Sequence, residues 1–193
     1  LLQKGDAPKE ELAAALAKAS AQAQRAGQVI RRVHEFVRKQ EPKRMPVEVS
    51  ALLDDCRALI DLQARRDGVR VTVEVEADLP PVYGDPVLLQ QVILNLTRNG
   101  IDAMAGCPPE RRRLAISASR LGAWVLIVVR DFGSGIDESL AEQVFSPFFT
   151  TKAEGMGMGL SICRSIVELH GGRLNFRRLA DGTEFHLQLP PAQ

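Results

Sequence analysis

The sequence has no long apolar segment, no excess of charge of either sign and few cysteines. Its longest strongly apolar run, Trp124 to Val129, has six residues, far fewer than a membrane-spanning helix requires. The net charge of +1 does not indicate a nucleic-acid surface. The three cysteines are odd in number and widely spaced, which disfavours a disulfide framework and a metal site. We therefore expect reduced cysteines, a cytoplasmic location, no membrane segment in this piece and no nucleic-acid partner.

The sequence also lacks an initiating methionine and a recognisable signal peptide. Its 193 residues, 45% hydrophobic and 25% charged, suffice for one good hydrophobic core plus a smaller element. Since the chain begins at Leu1, we expect it to be a piece of a longer protein.

A long amphipathic helix is predicted from about Lys9 to Gln40. Its apolar positions recur at intervals of four and three residues, as in a coiled coil or helical bundle. They are Leu12, Leu16, Ala19, Ala23, Ala26, Ile30, Val33 and Val37. One helix cannot bury this seam alone, so the pattern predicts pairing with a preceding helix, with a second copy of the chain, or with both. His34, followed by Glu35, could accept a phosphoryl group, but a polar position flanking the seam is the favoured interpretation.

Prolines and charges in residues 41–46 predict a linker. We therefore expect a helical arm at 1–42 and a second domain at 46–191. The elements predicted after the linker run β-α-β-α-ββ-α-α-ββ, without internal repeats. This order predicts an α+β fold: a two-layer α/β sandwich, with a mixed sheet and helices on one face, preceded by a long bundle-forming helix.

The boundaries of these elements follow from period-two and helical patterns and from turn residues. The predicted elements are a strand at 47–49, a helix from its cap Ser50 to Arg66, a strand at 69–75, a helix from its cap Asp85 to Met104, a hairpin of 114–120 with 123–130, a short helix at 137–144, a helix at 160–170 and a hairpin of 173–178 with 183–189. Residues 78–84 are predicted to be a loop. The helix after Ser50 is predicted to bury Leu52, Leu53, Cys56, Leu59, Ile60 and Leu62.

Three glycines alternate with two methionines in Gly155-Met156-Gly157-Met158-Gly159, directly before the helix that starts at Leu160. Glycine allows close backbone approach to a ligand, and a helix N-terminus attracts phosphate. The spacing fits neither a Walker loop, since no lysine follows these glycines, nor a dinucleotide fingerprint. We predict that residues 145–160, here termed the lid segment, form a mobile cover over a nucleotide.

Two asparagines four residues apart, Asn95 and Asn99, share one face of the predicted helix after Asp85. Asp102 continues this face, and the rest of the helix is largely apolar. Asparagine is a poor former of helix interiors, and its side-chain oxygen suits Mg²⁺, which also binds phosphate oxygens. The pattern predicts a magnesium site, although an exposed polar stripe would give the same spacing.

Asp131 ends an apolar strand and enters the turn Phe132-Gly133-Ser134-Gly135. A buried carboxylate here needs hydrogen-bond donors. The exocyclic amine of adenine is such a donor, whereas guanine would place an acceptor against an acceptor. Taken alone, an acid that simply starts a turn is the better interpretation. The tripeptide Asp-Phe-Gly also occurs in eukaryotic protein kinases, but their other signatures are absent, so we treat this match as accidental.

Together these motifs resemble the boxes of bacterial sensor histidine kinases of two-component systems, in the ATPase superfamily that includes gyrase, heat-shock chaperones and mismatch-repair ATPases. The boxes occur in order over about residues 46–190. They are the asparagine box at 95–102, the D-x-G-x-G box at 131–135, the phenylalanine box at 145–149, the second glycine box at 155–160 and a closing Gly-Thr-x-Phe at 182–185. Residues 9–40 resemble the second helix of the family's dimerisation and phosphotransfer hairpin.

The resemblance implies a role for each matching residue in binding ATP and Mg²⁺. Asn99 would coordinate Mg²⁺, Asn95 would assist at the phosphates, and these two with Lys152 would form the catalytic set. Asp131 would bind adenine with support from Thr183, and Phe145 and Phe149 would anchor the lid segment. Further nucleotide-binding residues would be Asp102, Gly133, Gly135, Ile136, Thr150, Thr151, Gly155, Gly157, Gly159 and Leu160. Met156 and Met158 would either contact the nucleotide or pack within the lid segment.

The implied reaction is transfer of the ATP γ-phosphoryl group to a histidine on the dimerisation helix, followed by relay to an aspartate of a response regulator. Hydrolases of the superfamily resemble one another in having glutamate where this chain has Asn95. A water nucleophile needs such a base, whereas neutral imidazole already offers a lone pair. The family's acceptor histidine is expected on the preceding helix, so we predict that this piece binds ATP without phosphorylating itself.

Two other functions remain open at this point. A clamp or chaperone-like ATPase would hydrolyse ATP steadily, which Asn95 disfavours. A degenerate kinase would act as a nucleotide-gated or partner-binding module through the arm, which the intact boxes disfavour. The expected partners of the leading interpretation are a response-regulator receiver domain and a second copy of this chain.

Overall fold

A computed structural model of the protein describes residues 43–152 and 156–192. The predicted arm helix, the His34–Glu35 pair and Gly155 lie outside the described residues.

The described residues form α-helices, β-strands and short 3-10 turns in an order close to the predicted one. In chain order they are β1 (Met45–Val47), α1 (Val49–Arg66), β2 (Arg70–Val75), β3 (Val82–Gly84), α2 (Pro86–Ala103), β4 (Arg113–Leu121), β5 (Trp124–Asp131), α3 (Gly159–Leu169), β6 (Arg173–Leu179) and β7 (Gly182–Leu189), with 3-10 turns at Pro109–Arg111 and Glu138–Gln143.

Five strands form one mixed sheet in the order β2-β4-β5-β7-β6. Strand β2 pairs parallel with β4, and the remaining neighbours are antiparallel. A parallel pair requires a crossover, and α2 lies in the connection between β2 and β4. The predicted α+β fold with a mixed sheet is therefore confirmed, as are both predicted hairpins.

The hydrophobic core lies between one face of this sheet and the helices. On β5 the residues Val125, Ile127 and Val129 are buried, while those between them are half-buried. Helix α2 packs against β4 and β5, α1 against β2, and α3 against β6 and β7. This alternation leaves the end of β5, at Asp131, on the same covered face as α2.

Helix α1 differs from its prediction at both its start and its buried face. It begins at Val49 after Glu48, which makes no side-chain capping bond, so Ser50 is not the cap. Burial of Val49, which is 2% exposed, contributes more than the roughly 1 kcal/mol of a serine cap. Leu59 and Leu62, predicted as buried, are 58% and 70% exposed, because helical rotation of about 100° per residue turns them away from the buried row.

Two further differences concern short segments. Residues 82–84, predicted as loop, form β3, which pairs antiparallel with β1 in a separate two-stranded sheet. Sequence patterning missed this strand because a three-residue strand after two prolines has no period to detect. The predicted helix at 137–144 is a 3-10 turn at Glu138–Gln143, with Asp137 accepting the Ser139 N–H at 2.9 Å.

The predicted start of α2 is confirmed in detail. The Asp85 carboxylate accepts the N–H groups of Val87 and Leu88 at 3.0 and 3.2 Å, and Pro86 occupies the first helical position. The second oxygen of the Asp85 carboxylate accepts the Lys43 N–H at 2.9 Å. This cap sets the start of the helix that carries both asparagines.

Candidate functional site

A cleft of about 630 Å³ lies between α2, the end of β5, the loop after it and the described parts of the lid segment. Most residues predicted to bind a nucleotide line this one cleft. They are Asn95, Asn99, Asp102, Asp131, Gly135, Ile136, Thr150, Thr151, Lys152, Met156, Gly157, Met158, Gly159, Leu160 and Thr183. Residues up to 88 positions apart in the sequence, Asn95 and Thr183, therefore face one cavity.

Of the predicted site residues that the structure describes, Gly133 and Phe145 do not line the cleft. A Cβ atom at Gly133 would lie 2.6 Å from the Ala103 carbonyl oxygen, so this glycine lets the loop after β5 pack on the end of α2. The Phe145 ring lies 5.9 Å from the Phe176 ring, with the Arg164 guanidinium 5.2 Å from its centre. Phe145 thus packs the start of the lid segment against β6. Phe149, predicted with it as an anchor, does line the cleft.

The cleft also includes residues that the sequence reasoning did not select. They are Arg98, Ala103, Ser134, Asp137, Leu140, Val144, Ile162 and Phe185. Arg98 lies within the asparagine box and Ser134 within the D-x-G-x-G box, so the sequence could have indicated both residues. The apolar members carried none, because an apolar side chain that lines a cleft has the same pattern as one in the core.

Asp131 is the buried carboxyl group of the cleft, with 3% exposure. It pairs in register with Thr183 of β7, and its Oδ1 accepts the Gly133 N–H at 2.9 Å. Burial raises the pKa of this carboxyl, and backbone hydrogen bonds from Gly133 and Thr183 and the nearby Arg130 charge partly oppose that rise. A carboxylate held in this way is suited to accept a further donor from a ligand.

Two glycines make room for Asp131. A Cβ at Gly100 of α2 would lie 3.2 Å from the Asp131 Cβ and 2.8 Å from the Leu114 Cδ1. Gly182, at φ +146°, lies so close to the Asp131 carbonyl that a Cβ would overlap it. The neighbour of Gly182 is backbone, which cannot move aside, so position 182 requires glycine. At position 100 a Cβ would instead require the Leu114 side chain to shift.

At the other end of the cleft, Lys152 lies between two side chains of α2. Its Nζ donates to Asn99 Oδ1 at 3.2 Å and to Asp102 Oδ2 at 2.6 Å. The side chains of Lys152 and Asp102 are 45% and 36% exposed. The sequence placed Asn99 and Asp102 in the asparagine box and Lys152 in the lid segment, and the structure brings all three into one cluster.

Asn95 meets the start of α3. A Cβ at Gly159, the first residue of that helix, would lie 2.8 Å from both Oδ1 and Nδ2 of Asn95. The helix has no side-chain cap, so its first N–H groups are available to an anion. One turn later Cys163 is buried and donates its thiol weakly to the Val92 carbonyl at 3.9 Å. Burial raises the pKa of Cys163 to about 12, so this thiol has a packing role.

The methionines and Gly157 shape the lid segment beside the cleft. Gly157 has φ +66°, and a Cβ there would collide with the Phe148 carbonyl. Met156 is 74% exposed, so its side chain is not packed into the core. Met156 and Met158 both line the cleft, so both are placed where they could contact a ligand.

Within residues 43–152 and 156–192, no helix has both the length and the apolar character to cross a membrane. Nor do these residues bring three His, Cys, Asp or Glu side chains together as metal ligands. A metal ion bound by Asn99 and its neighbours would therefore take further ligands from water or phosphate oxygens.

Comparison with known proteins gives consistent matches. The profile of the family described as histidine kinase-, DNA gyrase B- and HSP90-like ATPase matches residues 84–193. The chain is 44% identical to the C4-dicarboxylate transport sensor protein DctS of Rhodobacter capsulatus, over 93% of this chain and 27% of that protein. It is 40% identical to the sensor protein FixL of Bradyrhizobium diazoefficiens, over 96% of this chain and 36% of that protein.

Among solved structures, the catalytic domain of histidine kinase ThkA superposes with a TM-score of 0.68 at 30% identity, covering 77% of this chain and 96% of that one. The chain thus spans about a quarter to a third of the length of the two curated relatives and nearly all of the ThkA domain.

Proposed function

Because this chain belongs to the histidine kinase-, DNA gyrase B- and HSP90-like ATPase family, we propose that it contains the ATP-binding catalytic part of a sensor histidine kinase, at residues 46–191. The proposed reaction transfers the γ-phosphoryl group of ATP to a histidine, for relay to an aspartate of a response regulator. The observation that carries this proposal is the cleft itself. A buried carboxylate lies at one end, and amide, carboxylate and ammonium groups lie at the other.

The Asp131 end is proposed to bind adenine. Asp131 accepts backbone N–H groups and lines the cleft, and a carboxylate has about four acceptor sites, so an exocyclic amine would add to its hydrogen bonding. Guanine presents a carbonyl oxygen at the same position, which would leave the carboxylate unpaired. Thr183 supports the carboxylate from β7, and Gly135 and Ile136 of the loop after β5 line the pocket.

The opposite end is proposed to bind the phosphates and Mg²⁺. Asn99 Oδ1 and Asp102 Oδ2 together hold the Lys152 ammonium, so these hard oxygen donors fit a cation. A bound Mg²⁺ would neutralise phosphate charge during transfer. Asn95, Thr150, Thr151 and the α3 N-terminus at Gly159 line the same region and would hold the phosphate oxygens.

Asn95 favours transfer to histidine over hydrolysis. A carboxamide is not basic enough to take a proton from water, whereas a neutral imidazole nitrogen attacks phosphorus through its own lone pair. The proposed catalytic residues, Asn95, Asn99 and Lys152, therefore position and stabilise charge rather than move a proton.

The acceptor is proposed to be a histidine of a longer subunit. The chain has three histidines, and two of them are engaged. His170 accepts the Asp85 N–H with Nε2 and faces the Ile166 carbonyl with Nδ1, while His186 lies 3.1 Å from Glu184. His34 lies outside the described residues.

We further propose that the arm at 1–42 forms a homodimer, that a response-regulator receiver domain docks on it, and that the protein acts in the cytoplasm.

The test is calorimetric binding of a non-hydrolysable ATP analogue, with and without Mg²⁺. We expect magnesium-enhanced binding by the native chain, no binding of the GTP analogue, and loss of binding in Asp131→Asn. Asp181→Asn is the matched control, since Asp181 pairs with Arg130 outside the cleft and its loss should leave affinity unchanged. Absence of nucleotide binding in the native chain would contradict the proposal and favour a partner-binding module.

Catalysis is tested separately, by incubating the chain with ATP labelled at the γ-phosphate and a longer subunit that carries the upstream hairpin. Acid-labile, base-stable label on the longer subunit is the expected result. Steady ATP hydrolysis without protein labelling would contradict the kinase proposal and indicate a clamp-like ATPase.

A further inference from the structure

Lys152 is the cation held at the polar end of the cleft. Its ammonium reaches two oxygens that lie one turn apart on α2, Asn99 Oδ1 at 3.2 Å and Asp102 Oδ2 at 2.6 Å. The backbone of Lys152 is itself fixed, because its N–H donates to Thr150 Oγ1 at 3.1 Å. The lysine thus approaches α2 from a local turn, and its contacts are with the two side chains proposed to receive a divalent ion.

An ammonium and a divalent ion cannot share these oxygens. Magnesium binds oxygen ligands at about 2.0–2.1 Å with near-octahedral geometry. An ammonium already within hydrogen-bond distance of both oxygens occupies the space that such a shell needs. Two cations at this separation would also repel each other.

The contact is nonetheless exchangeable. The side chains of Lys152 and Asp102 are 45% and 36% exposed, and ion pairs of that exposure contribute little stability. The lysine head sits on a flexible four-carbon stem, so it can leave the two oxygens while its backbone stays bound to Thr150.

From these contacts we propose that Lys152 is a built-in competitor for the divalent ion: it occupies Asn99 and Asp102 when no nucleotide is bound, and must release both oxygens before the ion can bind them. The inference rests on the proposed function, which assigns the ion to Asn99. Its consequence is that Lys152 changes partners during nucleotide binding. The released ammonium becomes available to phosphate oxygens, which ties metal entry to the position of the lysine.

The experiment measures Mn²⁺ binding to the 193-residue chain without nucleotide, through paramagnetic broadening of the Asn99 side-chain amide signal in NMR spectra. This readout detects weak binding and does not depend on enzyme activity. Lys152→Met removes the competing charge and should tighten Mn²⁺ binding about two- to fivefold. Lys152→Arg keeps a cation opposite the same oxygens and should leave affinity near the native value.

A matched control separates competition from general charge repulsion. Arg98 lines the same cleft on α2, and the described residues give its guanidinium no ion pair or hydrogen bond. Arg98→Met should therefore tighten Mn²⁺ binding less than Lys152→Met does. Equal gains in the two variants would overturn the proposal, as would unchanged or weaker Mn²⁺ binding in Lys152→Met or absence of broadening at Asn99 in that variant.

Calorimetry with the ATP analogue on the same samples distinguishes two failures. If the native chain binds no nucleotide, the proposed function itself fails. If it binds nucleotide with Mg²⁺ while Lys152→Met shows no gain in Mn²⁺ affinity, only the competition by Lys152 fails.

Discussion

The two ends of the cleft are built in different ways. The Asp131 end lies on the sheet, with a carboxylate that is 3% exposed and neighbours fixed by strand pairing and by glycines with no spare room. The Lys152 end lies on the surface of α2, with an ion pair whose side chains are 45% and 36% exposed. Burial makes each unmet hydrogen bond costly, which suits selection of a base. Exposure keeps interactions weak and replaceable, which suits exchange of cations and phosphates.

The largest expected effect is a loss of stability at the Asp131 end of the cleft. Gly182→Ala would drive a Cβ into the Asp131 carbonyl at a backbone angle of φ +146°, so we expect a loss of about 3 kcal/mol or more in the free energy of unfolding. Chemical denaturation measures this. Gly106→Ala is the control, since a Cβ there meets nothing within 4 Å and should be neutral or slightly stabilising. Equal stability of the two variants would mean that the buried end tolerates more movement than its packing indicates.

The next effect separates binding from stability at Asp131. Asp131→Asn places an amide donor against the amine of adenine, so we expect at least about a 100-fold loss of ATP-analogue affinity. Folding should not suffer. Since burial raises the pKa of Asp131, ionising this carboxyl costs more free energy in the native state than in the unfolded chain. The variant should therefore gain stability at pH 7, and the gain should shrink as pH falls toward the ordinary carboxyl pKa of about 3.9.

A smaller effect is expected on the pH dependence of stability, through a histidine that joins two helices bordering the cleft. His170 links the end of α3 to the start of α2 through the Asp85 N–H, and burial lowers its pKa. The His170 imidazole therefore binds a proton less readily in the native state than in the unfolded chain, where it is protonated near pH 6.5. Stability is retained above that pH and lost as pH falls below it, by at most about 2 kcal/mol between pH 7 and pH 5.

Thermal denaturation across this pH range, in the native chain and in His170→Gln, measures the contribution of His170. The glutamine side-chain oxygen can still accept the Asp85 N–H but does not titrate, so the variant should lose less stability than the native chain as the pH falls. Equal losses in the two proteins would contradict the assignment to His170.

The smallest effect belongs to the exposed end. Lys152→Met should change the free energy of unfolding by less than about 1 kcal/mol, even though it alters cation binding. Arg57→Met offers a comparison, since Arg57 pairs with Asp61 on α1 at similar exposure. A markedly larger loss in Lys152→Met than in Arg57→Met would mean that the Lys152 cluster supports the fold, and would blur the contrast between the two ends.

Prediction from the sequence worked best where a local rule acts alone. The Asp85 cap, the turn at Gly122 and the alternation on β5 are consistent with the structure, because each depends on residues that are neighbours in the chain. It failed where two signals compete locally, as at Ser50, or where the signal is too short, as at β3. It also placed Leu59 and Leu62 in the core, because apolar character alone does not tell which side of a helix is covered.

The same division holds for the candidate site. The sequence by itself determined the motifs and their order, because both depend only on residue types at fixed short spacings, and it predicted a ligand chemistry from them. Only the tertiary structure decided that Gly100 and Gly182 make room for Asp131, that Phe145 packs on β6 instead of lining the cleft, and that Lys152 pairs with Asn99 and Asp102. These contacts join residues tens of positions apart. Their distances depend on how the helices pack on the sheet, and no local pattern in the chain encodes that packing.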